Sequence, residues 1–142
     1  MAAPKSTAYG VKLEIVIEGS DETAIVTARG AGRELARELG FSVVDQTRIA
    51  TAISEIVRNA VQYAHHGTVA FTVIDDDGRT GLEITVQDSG PGIEDVERVL
   101  NGGYSTGAGF GRGISGARAL MDEFELDSCP GAGTKVVMRK WL

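Results

Sequence analysis

Glycine crowding in one segment is the feature that most constrains this chain. Nine of its 19 glycines lie between Gly90 and Gly116, although the chain has 142 residues. Glycine weakens the interior of helices and strands, because it loses more backbone freedom on folding than any other residue. A stretch this rich in glycine therefore favours tight turns or a close approach to a ligand. The periodic segments around it must supply the hydrophobic core.

Hydrophobic periodicity divides those segments into strands and helices. Alternation predicts strands over residues 11–18, 69–74, 82–87, 124–127 and 134–141. Helical spacing predicts four helices. The first is capped at residues 20–21 and runs to Leu39, and the second runs from the cap Asp45 to about Ala64. Two shorter helices are predicted over 94–100 and 114–121.

The order of these elements predicts the fold class. Strands cluster instead of alternating strictly with helices, which is typical of an α+β fold. We expect a two-layer α/β sandwich, in which a mixed, mostly antiparallel sheet carries helices on one face. Residues 1–10 are expected to be a flexible N-terminal lead-in, and residues 11–142 a single domain.

Charge and cysteine content exclude several partners. The formal net charge is -6 and no basic tract is present, which argues against a nucleic-acid or membrane-surface partner. The single cysteine fits a reducing compartment, and no apolar run is long enough to span a membrane. We therefore expect a cytoplasmic protein. An anionic small ligand stays possible, because backbone N–H groups can bind one without basic side chains.

A carboxylate and an amide share one side of the second predicted helix. Glu55 and Asn59 are four residues apart, and Asn59 lies at the boundary of the apolar stripe. A solvated polar helix face would look the same. Alternatively, the pair points into a cleft beside the core, where it can position a nucleophile and hold a hard cation such as Mg²⁺ through oxygen.

Asp88 occupies a position where the strand pattern predicts an apolar residue. The buried side of the strand over 82–87 continues to Asp88 by the period of two. A buried carboxylate needs a donor partner, and the amino group of a purine would be one. Gly90 and Gly92 would let the chain turn closely over it. The alternative is an ordinary turn in which Asp88 caps neighbouring backbone N–H groups.

The glycine-rich segment from Tyr104 to Gly113 leads directly into a predicted helix. Alternating glycines expose successive N–H groups and end at a helix N-terminus, and both arrangements bind phosphates. Ser105 and Thr106 add hydroxyl donors. Arg112 either neutralises phosphate charge or lies on the surface. A disordered surface loop is the alternative for the whole segment.

Taken in order, these features resemble the N box and the three glycine boxes of the GHKL superfamily, which includes gyrase, histidine kinases and MutL and shares the Bergerat ATP-binding fold. The matching stretches are Glu55-x-x-x-Asn59, Asp88-x-Gly90-x-Gly92, the glycine lid 107–113 and Gly131-x-Gly133-Thr134. With no phosphoacceptor helix pair and no transducer domain, the chain looks most like the RsbT-type serine/threonine switch kinases of the bacterial partner-switching (stressosome) pathway. The stretches that carry this narrower likeness are 25–29, 44–55, 103–106, 120–126 and 140–141.

The resemblance implies a role for each matching residue. Glu55 would be the general base, and Asn59 would hold Mg²⁺ beside the phosphates of ATP. Asp88 would accept a hydrogen bond from the adenine amino group, with Thr134 assisting. The remaining implied contacts are the walls of the base pocket, Gly90, Gly92 and Ile93, and the residues that wrap the triphosphate, Thr106, Gly107, Gly109, Gly111 and Gly113.

The resemblance also implies an activity and partners. It predicts a protein serine/threonine kinase that transfers the γ-phosphoryl group of ATP to STAS-domain antagonist or scaffold proteins and that activates a PP2C-type phosphatase. The alternative is a non-catalytic, nucleotide-dependent binding module of the anti-sigma-factor type, which sequesters a regulatory protein.

Overall fold

The computed structural model describes residues 7–19, 22–64, 66–100 and 110–142. Its strands and helices follow one another in the order β1 (Thr7–Glu18), α1 (Thr23–Leu39), α2 (Val43–Tyr63), β2 (His66–Asp76), β3 (Arg79–Asp88), α3 (Val96–Leu100), α4 (Phe110–Leu120), β4 (Glu123–Ser128) and β5 (Thr134–Trp141).

The five strands form one sheet in the order β1-β2-β3-β5-β4. Every pairing of the described strands is antiparallel, so the expected α+β fold is confirmed and the parallel pair that a mixed sheet would contain is not among them. The turn between β2 and β3 has positive φ angles at Asp77 and Gly78, which is the hairpin geometry that an Asp-Gly pair favours.

Helix α2 lies at the centre of the helical layer. Its apolar stripe is buried, with Ile53 and Val57 fully inaccessible to solvent, and it contacts α1, α4 and the sheet. Gly32 brings α1 close, because a Cβ atom there would lie 2.2 Å from Ile53 Cδ1. On the sheet, Leu82 and Ile84 face the same core. One core therefore holds both layers together and fixes α2 above the strands.

The other face of the sheet carries charged side chains. Arg139 on β5 lies between acidic residues of both neighbouring strands. Its Nε donates to Glu83 on β3 at 2.8 Å, and its Nη1 donates to Glu123 on β4 at 3.2 Å. These pairs link three strands on the face of the sheet opposite the core.

Several element boundaries differ from the sequence prediction, beginning with that of β1. Strand β1 begins at Thr7, so residues 7–10 of the expected lead-in belong to this strand, and Thr7 and Ala8 pair with β2; residues 1–6 lie outside the described part. The register of β1 shifts twice between Ala8 and Leu13, which breaks the alternation that would have revealed the strand.

Helix α2 begins before the predicted cap. Ser42 is the N-cap, and its hydroxyl accepts from the backbone N–H of Asp45 at 3.1 Å. Asp45 itself lies in the first turn, where a carboxylate is favoured by the helix dipole. Serine and aspartate are both favoured as N-caps, and in this helix the more N-terminal residue, Ser42, is the cap. Within the described residues, no helix has the length and apolarity needed to cross a bilayer.

Candidate functional site

Helix α2 presents Glu55 and Asn59 one turn apart toward the N-terminal end of α4. A Cβ atom added to Gly113 would lie 3.1 Å from Glu55 Oε2 and 3.5 Å from Asn59 Nδ2. The first turn of α4 therefore lies directly against this pair, and a side chain at position 113 would have to displace the end of the Glu55 side chain. The backbone N–H groups at the start of a helix attract anions, so a carboxylate, an amide and a helix N-terminus meet at one point.

The start of α4 corrects the sequence prediction of a loop. Helix α4 begins at Phe110, so Gly111 and Gly113 belong to its first turn and not to a flexible lid. Glycine has a low helix propensity, but packing against α2 overrides such preferences when a small residue allows close approach. Thr106, Gly107 and Gly109 lie outside the described residues.

Glu55 also forms an ion pair within α2. Arg58 Nη1 lies 3.1 Å from Glu55 Oε1, and about two-fifths of each side chain is exposed. The pair occupies one carboxylate oxygen and leaves Oε2 on the side of Gly113. The spacing of three residues is visible in the sequence, but the polar face of α2 offers several such pairs, so this one was missed.

Asp88 ends β3 with its carboxylate tied to the backbone. Its Oδ1 accepts from the N–H of Gly90 at 2.9 Å and from the N–H of Thr134 at 3.2 Å. Burial raises the pKa of Asp88, and these two hydrogen bonds oppose that rise without cancelling it. Oδ2 takes part in neither bond. The capping alternative is therefore correct for Oδ1, while Oδ2 keeps its capacity to accept.

The glycines around Asp88 permit very close backbone contacts. Gly133 has a φ of +81°, and a Cβ atom there would lie 2.2 Å from the Asp88 carbonyl oxygen. Gly92 has a φ of +80°, and its Cβ atom would lie 1.9 Å from the carbonyl oxygen of Cys129. Gly90 packs on Ala64 at the end of α2. No residue with a side chain could replace the first two without a shift of the backbone.

Ser128 joins the two loops beside Asp88 and was not singled out from the sequence. Its Oγ accepts from the N–H of the buried Ile93 at 2.8 Å, donates to Gly133 O at 2.9 Å and lies 2.9 Å from Thr134 Oγ1. A serine at a strand end is too common a feature to signal such a role. Only the pairing of β4 with β5, in which Ser128 lies opposite Thr134, shows that Ser128 is next to the site.

The structure thus brings the predicted site residues that it describes into two groups. Glu55, Asn59 and Gly113 meet between α2 and α4, while Asp88 and Thr134 meet at the ends of β3 and β5. Gly90 touches the end of α2, which connects the two groups.

A cavity of about 210 Å³ opens at these strand ends. The cavity lies at the edge of the sheet, so consecutive residues from both faces line it. They include Gln87, Asp88, Asp127, Ser128, Thr134 and Lys135. Small-molecule sites usually have volumes of ~300–1,000 Å³, so this cavity has room for only part of a nucleotide.

The residues beside Gly113 fit a magnesium ion. Asn59 Nδ2 is buried and has no hydrogen-bond partner among the described residues, which leaves the carboxamide free to turn its oxygen toward a cation. No group of three or more His, Cys, Asp or Glu side chains in the described ranges could hold a metal by itself. Magnesium commonly takes one or two protein ligands and completes its shell with phosphates and water, so one amide oxygen would suffice.

Comparisons with known proteins show the family to which the chain belongs. The family model described as "Histidine kinase-like ATPase domain" matches residues 19–140. The serine/threonine-protein kinase RsbT of Bacillus subtilis (strain 168) is 49% identical over 121 residues, which cover 85% of this chain and 91% of that protein. The anti-sigma F factor of Caldanaerobacter subterraneus subsp. tengcongensis is 31% identical over 121 residues, covering 81% and 83%. The mycobacterial sensor histidine kinase MprB shares the fold at a TM-score of 0.54 and 15% identity, covering 91% of this chain and 97% of that chain.

Fold and site together define an ATPase domain of the GHKL type. The family match spans most of the chain, and the RsbT likeness spans 85% of it. The chain belongs to the histidine kinase-like ATPase family and, within it, to the group of serine/threonine-protein kinases that includes RsbT. The prediction of a protein serine/threonine kinase is confirmed at this level.

Proposed function

We propose that this protein transfers the γ-phosphoryl group of ATP to a serine or threonine hydroxyl of a STAS-domain protein. The observation that carries the proposal is the meeting of Glu55, Asn59 and the first turn of α4 at Gly113. A base, an oxygen ligand for a cation and an anion-attracting helix end are the groups that phosphoryl transfer needs, because the reaction depends on positioning and charge neutralisation.

Each end of the site has its own task in this proposal. Asp88 Oδ2 accepts from the amino group of adenine, and Thr134 assists it. Glu55 Oε2 takes the proton of the attacking hydroxyl, while Arg58 keeps the carboxylate oriented through its other oxygen. Asn59 supplies an oxygen ligand to Mg²⁺, which would neutralise phosphate charge when bound.

We propose further that the kinase works as a partner switch. After phosphorylation of its STAS-domain antagonist or scaffold, the released kinase binds and activates a PP2C-type phosphatase in the cytoplasm. The likeness to RsbT and to anti-sigma factors supports regulatory protein partners in general. The STAS-domain and phosphatase partners follow from the resemblance of the sequence motifs to the switch kinases.

The test compares two glutamate substitutions. Glu55→Gln removes the proposed base but keeps the shape of the side chain. Glu34→Gln is the matched control, because Glu34 forms an exposed ion pair with Arg37 at the same spacing on α1. Purified protein, Mg·ATP and a STAS-domain protein are mixed, and phosphate transfer is followed along with ATP affinity.

General-base catalysis contributes roughly 10²–10⁴-fold, so Glu55→Gln is expected to lose at least about 100-fold in rate while still binding ATP. Glu34→Gln should match the unchanged protein in both respects. Undiminished transfer by Glu55→Gln would remove Glu55 from its assigned role.

The alternative function is a nucleotide-dependent binding module. Several relatives are anti-sigma F factors, and these likenesses favour a chain that sequesters a regulatory protein. The same experiment separates the two functions. A complex that forms with Mg·ATP, without phosphate transfer and without sensitivity to Glu55→Gln, would favour the binding module.

A further inference from the structure

The three hydrogen bonds of Ser128 fix where its proton and its lone pairs go. The carbonyl oxygen of Gly133 can only accept, so the hydroxyl proton of Ser128 is committed to it. The N–H of Ile93 can only donate, so it takes one of the two lone pairs of Ser128 Oγ. One lone pair of Ser128 then remains for Thr134.

That remaining lone pair decides the direction of the Thr134 hydroxyl. The two hydroxyl oxygens lie 2.9 Å apart, and Ser128 has no second proton to give. Thr134 is therefore the donor in this contact. Its own oxygen keeps its lone pairs, so toward any ligand it can only accept.

The same restriction holds for the neighbouring carboxylate. Asp88 Oδ1 already receives the N–H groups of Gly90 and Thr134, and Oδ2 is an acceptor in the ionised group. The end of the site near β3 and β5 thus presents two acceptors and no side-chain donor of Asp88 or Thr134. A purine with an amino group at its sixth position matches this pattern, whereas a purine with a carbonyl there opposes it.

We infer that Ser128 is a specificity-determining residue, which makes the site select 6-amino over 6-oxo purines by holding the Thr134 hydroxyl as an acceptor. This inference rests on the proposed ATP site. Ser128 acts through Thr134 and is a positioning residue.

The test measures a ratio of affinities. Calorimetric Kd values for Mg·ATP and Mg·ITP are compared, because inosine carries a 6-oxo group. In Ser128→Ala the Thr134 hydroxyl is free to turn its proton toward that oxygen, so the preference for ATP over ITP should fall about tenfold. Ser128→Thr retains the hydroxyl and should keep the preference of the unchanged protein. In a Thr134→Val background, Ser128→Ala should change the ratio no further.

A purely structural role would give a different result. If Ser128→Ala weakens ATP and ITP equally and leaves their ratio unchanged, the inference is wrong. Should Ser128→Ala fail to fold, Thr134→Val and Thr134→Ser decide in its place: the valine variant should lose about tenfold in preference and the serine variant should retain it. An equal ratio in these two variants would overturn the inference. Failure of the unchanged protein to bind either nucleotide would instead refute the proposed function itself.

Discussion

The Asp88→Asn variant is expected to lose nucleotide affinity without losing stability. Asparagine has the shape of aspartate, and its carbonyl oxygen can keep the hydrogen bonds from the N–H groups of Gly90 and Thr134, now 2.9 and 3.2 Å long. Because both N–H groups require an acceptor, the new amide nitrogen must take the place of Oδ2. A donor then faces the adenine amino group, which is itself a donor.

The loss of affinity follows from that mismatch. A hydrogen bond to a charged group contributes about 1.5–3 kcal/mol, so the Kd for Mg·ATP should rise roughly 10- to 150-fold. Calorimetric titration of both proteins measures this change. Thr134→Ser serves as the control, since it keeps every hydrogen-bonding group at the same end of the site.

Although Asp88→Asn weakens nucleotide binding, it is not expected to lower the free energy of unfolding at pH 7. Burial raises the pKa of Asp88 above its ordinary value of 3.8. The native state therefore holds the proton more tightly than the unfolded state, so stability from this group is fully present below pH 3.8 and is lost as pH rises through the native pKa. Asparagine carries no such penalty, and the variant should be at least as stable as the unchanged protein at pH 7.

Urea unfolding from pH 4 to 7 measures the difference between the two proteins, which should grow with pH. The reasoning is refuted if the variant loses more than about 1 kcal/mol at pH 7 while its ATP affinity holds, because Asp88 would then be only a structural cap.

Three further substitutions, with one control variant, probe the rest of the site. Gly113→Ala should slow phosphate transfer about tenfold by crowding Glu55. Gly116→Ala lies in the same helix, and its Cβ atom would meet no described atom within 4 Å, so it should leave the rate unchanged and add about 0.5–1 kcal/mol of stability. Initial rates and urea unfolding compare the two variants, and equal rates would contradict the crowding. Gly92→Ala should lower the free energy of unfolding by about 3 kcal/mol or more, because its φ is +80° and its Cβ would overlap a backbone carbonyl; an unchanged unfolding midpoint would refute this. Asn59→Ala should remove the rise in Tm that Mg·ATP produces. The protein without nucleotide should stay as stable, since the buried Nδ2 has no partner to lose in the described part of the chain; a retained rise in Tm would exclude Asn59 from the site.

Periodicity predicted all five strands, although not the full length of β1, and it predicted the strand ends at which Asp88 and Thr134 lie. Alternation placed Asp88 on the buried side of β3, and the structure pairs it with Thr134 at the start of β5. The Asp77-Gly78 turn was equally readable, because that dipeptide has a strong preference for positive φ. Both signals are local and depend on few neighbouring residues.

Features that depend on contacts between distant segments were not predictable. The first turn of α4 contains Gly111 and Gly113, which disfavour a helix until α2 packs against it. The hydrogen bond from Ile93 to Ser128 joins residues 35 apart in the chain. Strand β1 starts early because it pairs with β2, and its irregular register hides the alternation.

The loops beyond β3 and β4 are hydrogen-bonded to each other. Besides the bonds of Ser128, the N–H of Gly131 donates to the carbonyl oxygen of Pro91 at 2.7 Å. In the proposed ATP site, a base that binds beside these loops would meet segments that are already ordered and would lose little affinity to ordering of the chain, because that entropy was lost when the protein folded. A nucleoside without phosphates should therefore already bind to the proposed site, because binding of the base does not require the two loops to become ordered first.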